Sequence, residues 1–161
     1  MTTMSLSAVT FVRRDPDWVF RELHDPETLL GSVPGATLTR LTGRGSFQAR
    51  IAIGLGPFKA QYDGRGRIVA SNPKARTASL ELIGDPSANL ATVRVQMAMA
   101  IAERTGGSEI RMTFDVAMSD RTRQLAGGWL DPAACDLLDR TTRRLKQQLE
   151  EAPSMPFPPA A

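Results

Sequence analysis

Apolar and polar residues alternate along most of the chain between residues 36 and 118. Apolar side chains recur at every second position in segments near 36–42, 46–55, 58–70, 77–84, 88–102 and 108–118. A period of two residues is typical of a β-strand with one buried face. Residues 5–13 are also rich in β-forming side chains, so the pattern predicts seven strands in all.

Short connections with turn-forming residues separate these segments, among them Gly43–Gly45, Asn72-Pro73 and Gly106-Gly107. Links this short join antiparallel neighbours, because parallel strands need crossovers of about a dozen residues or more. We therefore predict one antiparallel sheet that has an apolar face and a solvated face.

Helical signals occur at three places. Two Asp-Pro pairs, at 15–16 and 25–26, each place a capping carboxylate before a proline and predict two short helices. A longer helix is predicted over about 132–150 with Asp131 as its N-cap. Residues 119–131 are predicted to form a plain loop, with a hinged lid as the alternative. The apolar residues of the long helix form one stripe at helical spacing: Ala134, Leu138, Thr141, Leu145 and Leu149.

The apolar face of the sheet needs a cover, and the stripe on the long helix supplies one. We therefore predict an α+β helix-grip fold, a seven-stranded curved antiparallel sheet with two short helices and a long C-terminal helix. Residues 1–152 form this single domain, and residues 153–161 form a short Pro-rich tail. One helix cannot fill so broad a sheet, and several inward positions are small, so we expect a cavity.

The inward side chains of the predicted cavity are almost all apolar. Ligand contacts are expected from one set on the strands and at the long helix: Phe47, Ile51, Tyr62, Leu80, Leu82, Val95, Met97, Met99, Met112, Phe114, Trp129 and Leu138. The mouth is expected at the end of the second short helix, at Leu29, Leu30, Val33, Pro34 and Gly35. Tyr62 is the inward hydroxyl that can orient a ligand, and a bond to a backbone carbonyl is the alternative.

Composition limits the chemistry that the chain can perform. The single Cys135 excludes an internal disulfide, and the single His24 leaves no multi-histidine metal site, so no metal is expected. We expect His24 at the surface beside the mouth. Strand parity places Asp63, Glu81 and Asp115 on the solvated face, away from any bound substrate. The sequence therefore predicts no catalytic residue and no enzyme.

The formal net charge of +3 is small, and we expect it to be spread along the chain. This balance argues against nucleic acid as a partner, and no apolar run is long enough to predict a membrane span. On the long helix, Arg140 and Arg143 can meet lipid headgroups or pair with Asp136 and Asp139, four residues earlier. We expect the ion pairs and a solvated helix face.

The order of elements, a strand, two short helices, six strands and a long helix, resembles that of the START-like (SRPBCC) superfamily. Three segments resemble the G-subunit family of carbon monoxide dehydrogenase. They are Asp25-Pro-Glu27 running to Val33-Pro-Gly-Ala36, Leu55-Gly-Pro-Phe-Lys-Ala60 followed by Tyr62 and Gly64, and Leu125-Ala126 before an arginine-bearing helix. The resemblance covers about residues 5–150.

The resemblance implies a non-catalytic accessory protein of a molybdenum hydroxylase of the carbon monoxide dehydrogenase type. It implies a cytoplasmic location, peripheral at the inner face of the cell membrane, and a non-covalently held guest, a lipid or a prenylated quinone such as menaquinone. The tail carries only Met155 and Phe157 as apolar anchors, so weak or no membrane contact is expected. A polyketide cyclase or dehydratase-like enzyme and a pure protein–protein adaptor are the alternatives.

Overall fold

The computed structural model describes residues 2–55, 58–86 and 92–152, and the predicted Pro-rich tail at 153–161 lies outside them. The described residues form seven strands and four α-helices, with a 3-10 turn at Gly127–Trp129 before the last helix. In chain order these are β1 (Thr2–Val12), α1 (Pro16–Glu22), α2 (Pro26–Ser32), β2 (Ala36–Gly43), β3 (Ser46–Leu55), β4 (Phe58–Asn72), β5 (Thr77–Pro86), β6 (Val93–Arg104), β7 (Gly107–Met118), α3 (Asp120–Ala126) and α4 (Leu130–Glu151).

The strands form one curved antiparallel sheet in the order β1-β7-β6-β5-β4-β3-β2. Strands that follow one another along the chain are neighbours in the sheet, except that β1 pairs with β7. In that pair Leu6 lies opposite Phe114. The architecture confirms the predicted α+β helix-grip fold.

Burial alternates along the strands as the sequence pattern predicts. In β6, Met97, Met99 and Ile101 are buried, and the residues between them are more exposed. In β4, Tyr62 and Gly64 are buried between exposed neighbours. One face of the sheet is therefore apolar, and this is the face on which the described helices pack.

The main core lies beneath the second half of α4. Leu145 and Leu149 are each 1% exposed, and they pack with Leu80, Met112 and Val19 among other apolar side chains of the sheet and α1. Burying an apolar side chain of this size contributes about 1.5–3 kcal/mol. This end of the sheet is consequently closed.

The C-terminal end of α4 is bound to the segment that joins β1 to α1. Arg14 donates from Nε to the Leu149 carbonyl (2.9 Å) and from Nη2 to the carbonyls of Glu150 (3.0 Å) and Ala152. The guanidinium thus satisfies carbonyls that have no partner within the helix, at the negative end of the helix dipole. Ser108 Oγ in turn donates to the Arg14 carbonyl at 2.6 Å.

The predicted loop at 119–131 is wrong, because the structure contains the helix α3 there. Ser119 caps α3, and its side chain accepts a hydrogen bond from the Thr122 amide at 3.1 Å. Gly127, with φ of 55°, then ends the helix in a conformation that glycine adopts readily. The two glycines that follow α3 conceal it in the sequence, whereas the Ser119 cap was the signal that could have found it.

The predicted start of the long helix also needs correction. The helix begins at Leu130, so Asp131 lies in its first turn and is not the N-cap. Arg123 of α3 donates to the Asp131 carboxylate at 3.3 Å, which links the two helices. The predicted sixth strand at 88–102 begins at Val93 in the structure, and residues 87–91 lie outside the described part.

Candidate functional site

After Leu130, which is buried against Met118, the first half of α4 packs less closely on the sheet than its second half. Leu137 and Leu138 are partly exposed, whereas Leu145 and Leu149 are buried. Inward residues in the middle rows of the sheet are partly exposed as well: Ile51, Leu82, Val95 and Phe114. Apolar side chains that face inward yet remain accessible indicate an apolar space between the sheet and the first half of α4.

Glycines form part of the floor of this space. Gly64 lies opposite Gly84 in the β4–β5 pair. A Cβ atom at Gly66 would stand 2.3 Å from Phe47 Cζ, so the Phe47 ring lies directly on Gly66. The Tyr62 ring lies against Gly84, with Cδ1 3.3 Å from the corresponding Cβ position. A Cβ atom built at Gly64 would have no described side chain within 4 Å, so the floor is open at Gly64.

Tyr62 is the polar side chain of this space, and it is 8% exposed. Within the described part of the chain, no group forms a hydrogen bond with its hydroxyl. Every fully buried side-chain nitrogen or oxygen of the described residues has a partner, so the Tyr62 hydroxyl must reach accessible space. The phenol is a hydrogen-bond donor at neutral pH, and burial raises the pKa of Tyr62 further above its ordinary value of 10.0.

A groove of about 240 Å³ opens beside the end of β3. It is lined by the α2–β2 connection, β3 and one face of α4: Pro34, Gly35, Ala52, Ala133, Asp136, Leu137 and Arg140. Ile51, next to Ala52, lies opposite Tyr62 in the β3–β4 pair. The groove is therefore at the Tyr62 end of the sheet, and it includes Pro34 and Gly35 of the predicted mouth.

Glycine is required at position 35 of this groove. Its φ is 79°, and a Cβ atom there would stand 2.2 Å from the Ala52 carbonyl oxygen. The Ala52 amide donates to the Gly35 carbonyl at 2.9 Å, so the two backbones touch. The Val33 amide bonds to the Leu30 carbonyl at 3.1 Å and closes α2 just before the groove.

Several predicted contact residues belong to the packed core instead of the open space. Four of them are between 2% and 7% exposed in the core beneath the second half of α4: Leu80, Met97, Met99 and Met112. Of the predicted mouth, Leu29 packs against this same core, and Leu30 packs with Phe47 and Ala49. The side chain of Trp129 lies outside the described part of the chain.

His24 does not lie beside the mouth. Its Nδ1 is 2.7 Å from the Phe20 carbonyl oxygen, and its Nε2 is 2.9 Å from Ser71 Oγ. Ser71 stands at the opposite end of β4 from Tyr62. His24 therefore connects α1 to the closed end of the sheet, as a structural residue.

The apolar stripe of α4 leaves Asp136 and Arg140 on the side of the helix that was predicted to face solvent. Both residues nevertheless line the groove. They form the predicted ion pair, at 3.7 Å, and their side chains are more than half exposed. Such a pair contributes at most about 1 kcal/mol and opens readily. The signal for this second helix face was the spacing of Ala133, Asp136, Leu137 and Arg140, which follows i, i+3, i+4 and i+7.

The interior offers little chemistry besides the phenol. Over residues 2–55, 58–86 and 92–152, the inward strand positions with described side chains carry no carboxylate, imidazole or lysine. The same residues contain no group of three His, Cys, Asp or Glu side chains that could hold a metal ion. None of the described helices is long and apolar enough to cross a membrane.

Solved structures of other proteins share this architecture. A conserved protein from Geobacillus kaustophilus gives a TM-score of 0.67 at 15% identity, over 90% of this chain and 97% of that one. The Zhui aromatase/cyclase from Streptomyces sp. R1128 gives 0.64 at 12% identity, over 92% and 94%. Norcoclaurine synthase from Thalictrum flavum gives 0.63 at 14% identity, over 95% and 90%. These likenesses show the START-like (SRPBCC) fold alone.

A comparison with curated protein sequences finds no match. The profile of the CoxG family, the G-subunit family of carbon monoxide dehydrogenase, matches residues 10–150. The match takes in the three segments that carry the sequence resemblance, and it extends from the end of β1 to the last turn of α4. The chain therefore belongs to the carbon monoxide dehydrogenase CoxG family.

Proposed function

We propose that this chain binds a hydrophobic small molecule, a lipid or a prenylated quinone, between the sheet and the first half of α4. The observation that carries the proposal is the Tyr62 hydroxyl, which has no partner among the described residues although its ring is buried. The hydroxyl reaches accessible space and has no partner among the described residues, so it can donate a hydrogen bond to a bound molecule. A carbonyl or hydroxyl on an apolar guest would supply the acceptor.

The groove supports the proposal as an entrance. Its volume of about 240 Å³ is below the range of about 300–1,000 Å³ that is usual for small-molecule pockets, so the groove alone is too small for the guest. Partly exposed apolar residues such as Ile51 and Val95 extend the apolar surface into the interior. The packed core under Leu145 and Leu149 closes the far end.

Family membership supports an accessory role, because the family is described as a subunit of carbon monoxide dehydrogenase. We propose that the chain holds its guest for a molybdenum hydroxylase of that type and performs no chemistry itself. In this proposal the guest is bound non-covalently, and the chain carries no covalent cofactor. In this proposal the protein works in the cytoplasm, peripheral at the inner face of the cell membrane.

A cyclase-type enzyme is the second candidate, because an aromatase/cyclase shares the fold. General acid–base catalysis needs a group within hydrogen-bond reach of the substrate and with a suitable pKa. Among inward strand positions with described side chains, Tyr62 is the titratable residue, and a phenol is protonated at neutral pH, so it acts as a donor and not as a base. This chemistry favours binding over catalysis.

Extraction of the purified protein with organic solvent, followed by mass spectrometry, tests the proposal directly. The informative variant is Gly64→Leu, which fills the open position on the floor. Its matched control is Gly43→Leu, where a Cβ atom meets nothing within 4 Å among the described residues. We expect a bound guest in the wild type and in the control, and about ten-fold less in Gly64→Leu, equivalent to about 1.4 kcal/mol.

Wild-type protein that carries no guest and binds neither added menaquinone nor phospholipid would refute the proposal. An unchanged guest content in Gly64→Leu would place the guest elsewhere. Conversion of an aromatic polyketide substrate that Tyr62→Phe abolishes would establish the enzyme. A protein that carries no guest, and whose binding to a partner is unchanged by Gly64→Leu and by Tyr62→Phe, would be a pure adaptor.

A further inference from the structure

Positive charge is concentrated in one part of the chain. Residues 36–76 contain eight Lys and Arg residues and one acidic residue, Asp63, which gives this segment a formal charge of +7. Because the whole chain carries +3, the remaining residues carry −4. The expectation that the charge is spread along the chain is therefore wrong.

Strands β2 to β4 direct much of this charge to the outer side of the sheet. Five exposed residues form what we call the basic face: Arg40, Arg50, Lys59, Arg65 and Arg67. Arg40 lies opposite Gln48, which lies opposite Arg65. Adjacent strands are about 4.8 Å apart, so Arg40 and Arg65 flank Gln48 in one row, whereas Lys59 lies six residues from Arg65 along β4, roughly 20 Å away. The described helices pack on the other side of the sheet and leave this face open.

The ion pairs on the basic face are weak. Arg50 lies 3.2 Å from Asp63, and Arg65 lies 3.7 Å from Asp85, with all four side chains more than half exposed. Exposed pairs of this kind contribute about 0–1 kcal/mol, so another carboxylate can replace the present one. The other three basic residues have no ion pair within the part of the chain that the structure describes: Arg40, Lys59 and Arg67.

We propose that the basic face docks on an acidic surface of a protein partner, the oxidoreductase of the proposed function. The inference rests on that proposed function for the identity of the partner. Arginine guanidinium groups match carboxylates in two-point hydrogen bonds, and four of the five basic residues are arginines. Asp63, Asp85 and Glu81, which lies opposite Arg67, interrupt the positive charge at fixed positions. A protein surface can match such a pattern, whereas a uniformly anionic bilayer cannot.

The composition of the face fits nucleic acid and membrane partners less well. Proteins that bind single-stranded nucleic acid stack bases on aromatic side chains, and surface-bound membrane proteins insert aromatic or large apolar residues. No described aromatic side chain points outward from β2, β3 or β4. Of the two large exposed apolar side chains on these described strands, Leu41 lies opposite the inward Phe47 and therefore on the other side of the sheet, which leaves Val69.

The test measures binding of the full chain to the purified, intact molybdenum hydroxylase of the carbon monoxide dehydrogenase type from the same organism. The face variant combines three substitutions of residues without an ion pair: Arg40→Glu, Lys59→Glu and Arg67→Glu. The control variant reverses three exposed arginines on α1, α3 and α4 that also lack a described ion pair: Arg21→Glu, Arg121→Glu and Arg144→Glu. The charge change is thus the same in both variants.

We expect wild-type affinity to fall steeply between about 50 and about 300 mM NaCl, because salt screens exposed charges. At low salt the face variant should bind at least about ten-fold more weakly, and the control should stay within about two-fold of wild type. Equal losses in both variants, or undiminished binding by the face variant, would overturn the inference. If the face variant melts early, the same positions changed to Gln provide the measurement.

Two parallel measurements identify a different partner. Co-sedimentation with phosphatidylglycerol vesicles that is lost in the face variant, without binding to the hydroxylase, would replace the protein partner by a membrane. Salt-sensitive self-association that is lost in the face variant would replace it by a second copy, whose residues 15–27 carry five acidic residues and one arginine. Guest content separates the two proposals. Retained guest without docking refutes this inference, and docking without guest refutes the proposed function.

Discussion

At the level of single residues, glycines determine where the aromatic rings of the interior can lie. Strand parity alone indicated that Phe47, Tyr62 and Gly66 point inward. It could not indicate that the Phe47 ring rests on Gly66, because that contact depends on the two residues being opposite each other in the β3–β4 pair. Cross-strand register comes from the pairing of whole strands, and one sequence does not contain it.

Gly66→Ala should therefore destabilise the protein. Its new Cβ atom would stand 2.3 Å from Phe47 Cζ, so the ring must leave its place on the floor. Overpacking of this kind costs about 1–3 kcal/mol, to be measured by urea denaturation. Gly43→Ala is the control, because nothing lies within 4 Å of its Cβ position among the described residues, and we expect a change within about 0.5 kcal/mol. Identical midpoints for the two variants would contradict the assigned contact.

The titration of Tyr62 can be followed without interference, because it is the one tyrosine of the chain. Burial raises the pKa of its phenol above 10.0, so tyrosinate absorbance should appear at higher pH in the folded protein than in the denatured chain. Well below pH 10.0 both states keep the proton, and Tyr62 contributes its full stability there. Above it the unfolded chain releases its proton first, so the free energy of unfolding falls. Tyr62→Phe should lose this part of the alkaline decline, and a normal phenol titration would contradict the burial.

At the level of elements, alternation predicted the strands well, because each has one face on the core and one in solvent. The Asp-Pro caps predicted α1 and α2, and the structure confirms both caps. The helix α3 was missed. It is seven residues long and is followed by two glycines, so its apolar residues do not repeat often enough to show a helical pattern. The Arg14 contacts were also not predictable, since they join residues more than 130 positions apart.

Arg14→Ala should loosen the last turn of α4. The substitution removes the donor to the carbonyls of Leu149, Glu150 and Ala152, and hydrogen bonds from a charged group contribute about 1.5–3 kcal/mol. Arg13→Ala is the adjacent control, because Arg13 binds Glu150 through its backbone amide, which the substitution keeps. Chemical denaturation should show the loss for Arg14→Ala alone. Equal stability of the two variants would show that the end of α4 does not need the guanidinium.

At the level of the whole molecule, two asymmetries underlie the two proposals, and average properties of the sequence conceal both. The net charge of +3 conceals a segment at +7 beside a remainder at −4. The continuous apolar stripe of α4 conceals a helix that is packed at Leu145 and Leu149 and partly exposed at Leu138. The sequence thus predicted a cavity, but its position along the helix depends on how α4 lies across the sheet.

The uneven packing of α4 predicts uneven protection from hydrogen exchange. Without guest, backbone amides in residues 131–140 should exchange at least about ten-fold faster than those in 141–151, because local opening is easiest where few apolar contacts are buried. Mass spectrometry of peptides from the two halves measures the difference.

Addition of menaquinone should slow exchange in residues 131–140 of α4 and leave the second half unchanged, because the guest would supply the apolar contacts that residues 131–140 lack. Gly64→Leu is the control, since its side chain occupies the guest position and menaquinone should then have no effect. Uniform exchange along α4 in the guest-free protein would mean that the first half is as well packed as the second. Slowing confined to the second half would place the guest against Leu145 and Leu149, where the core leaves no space for it.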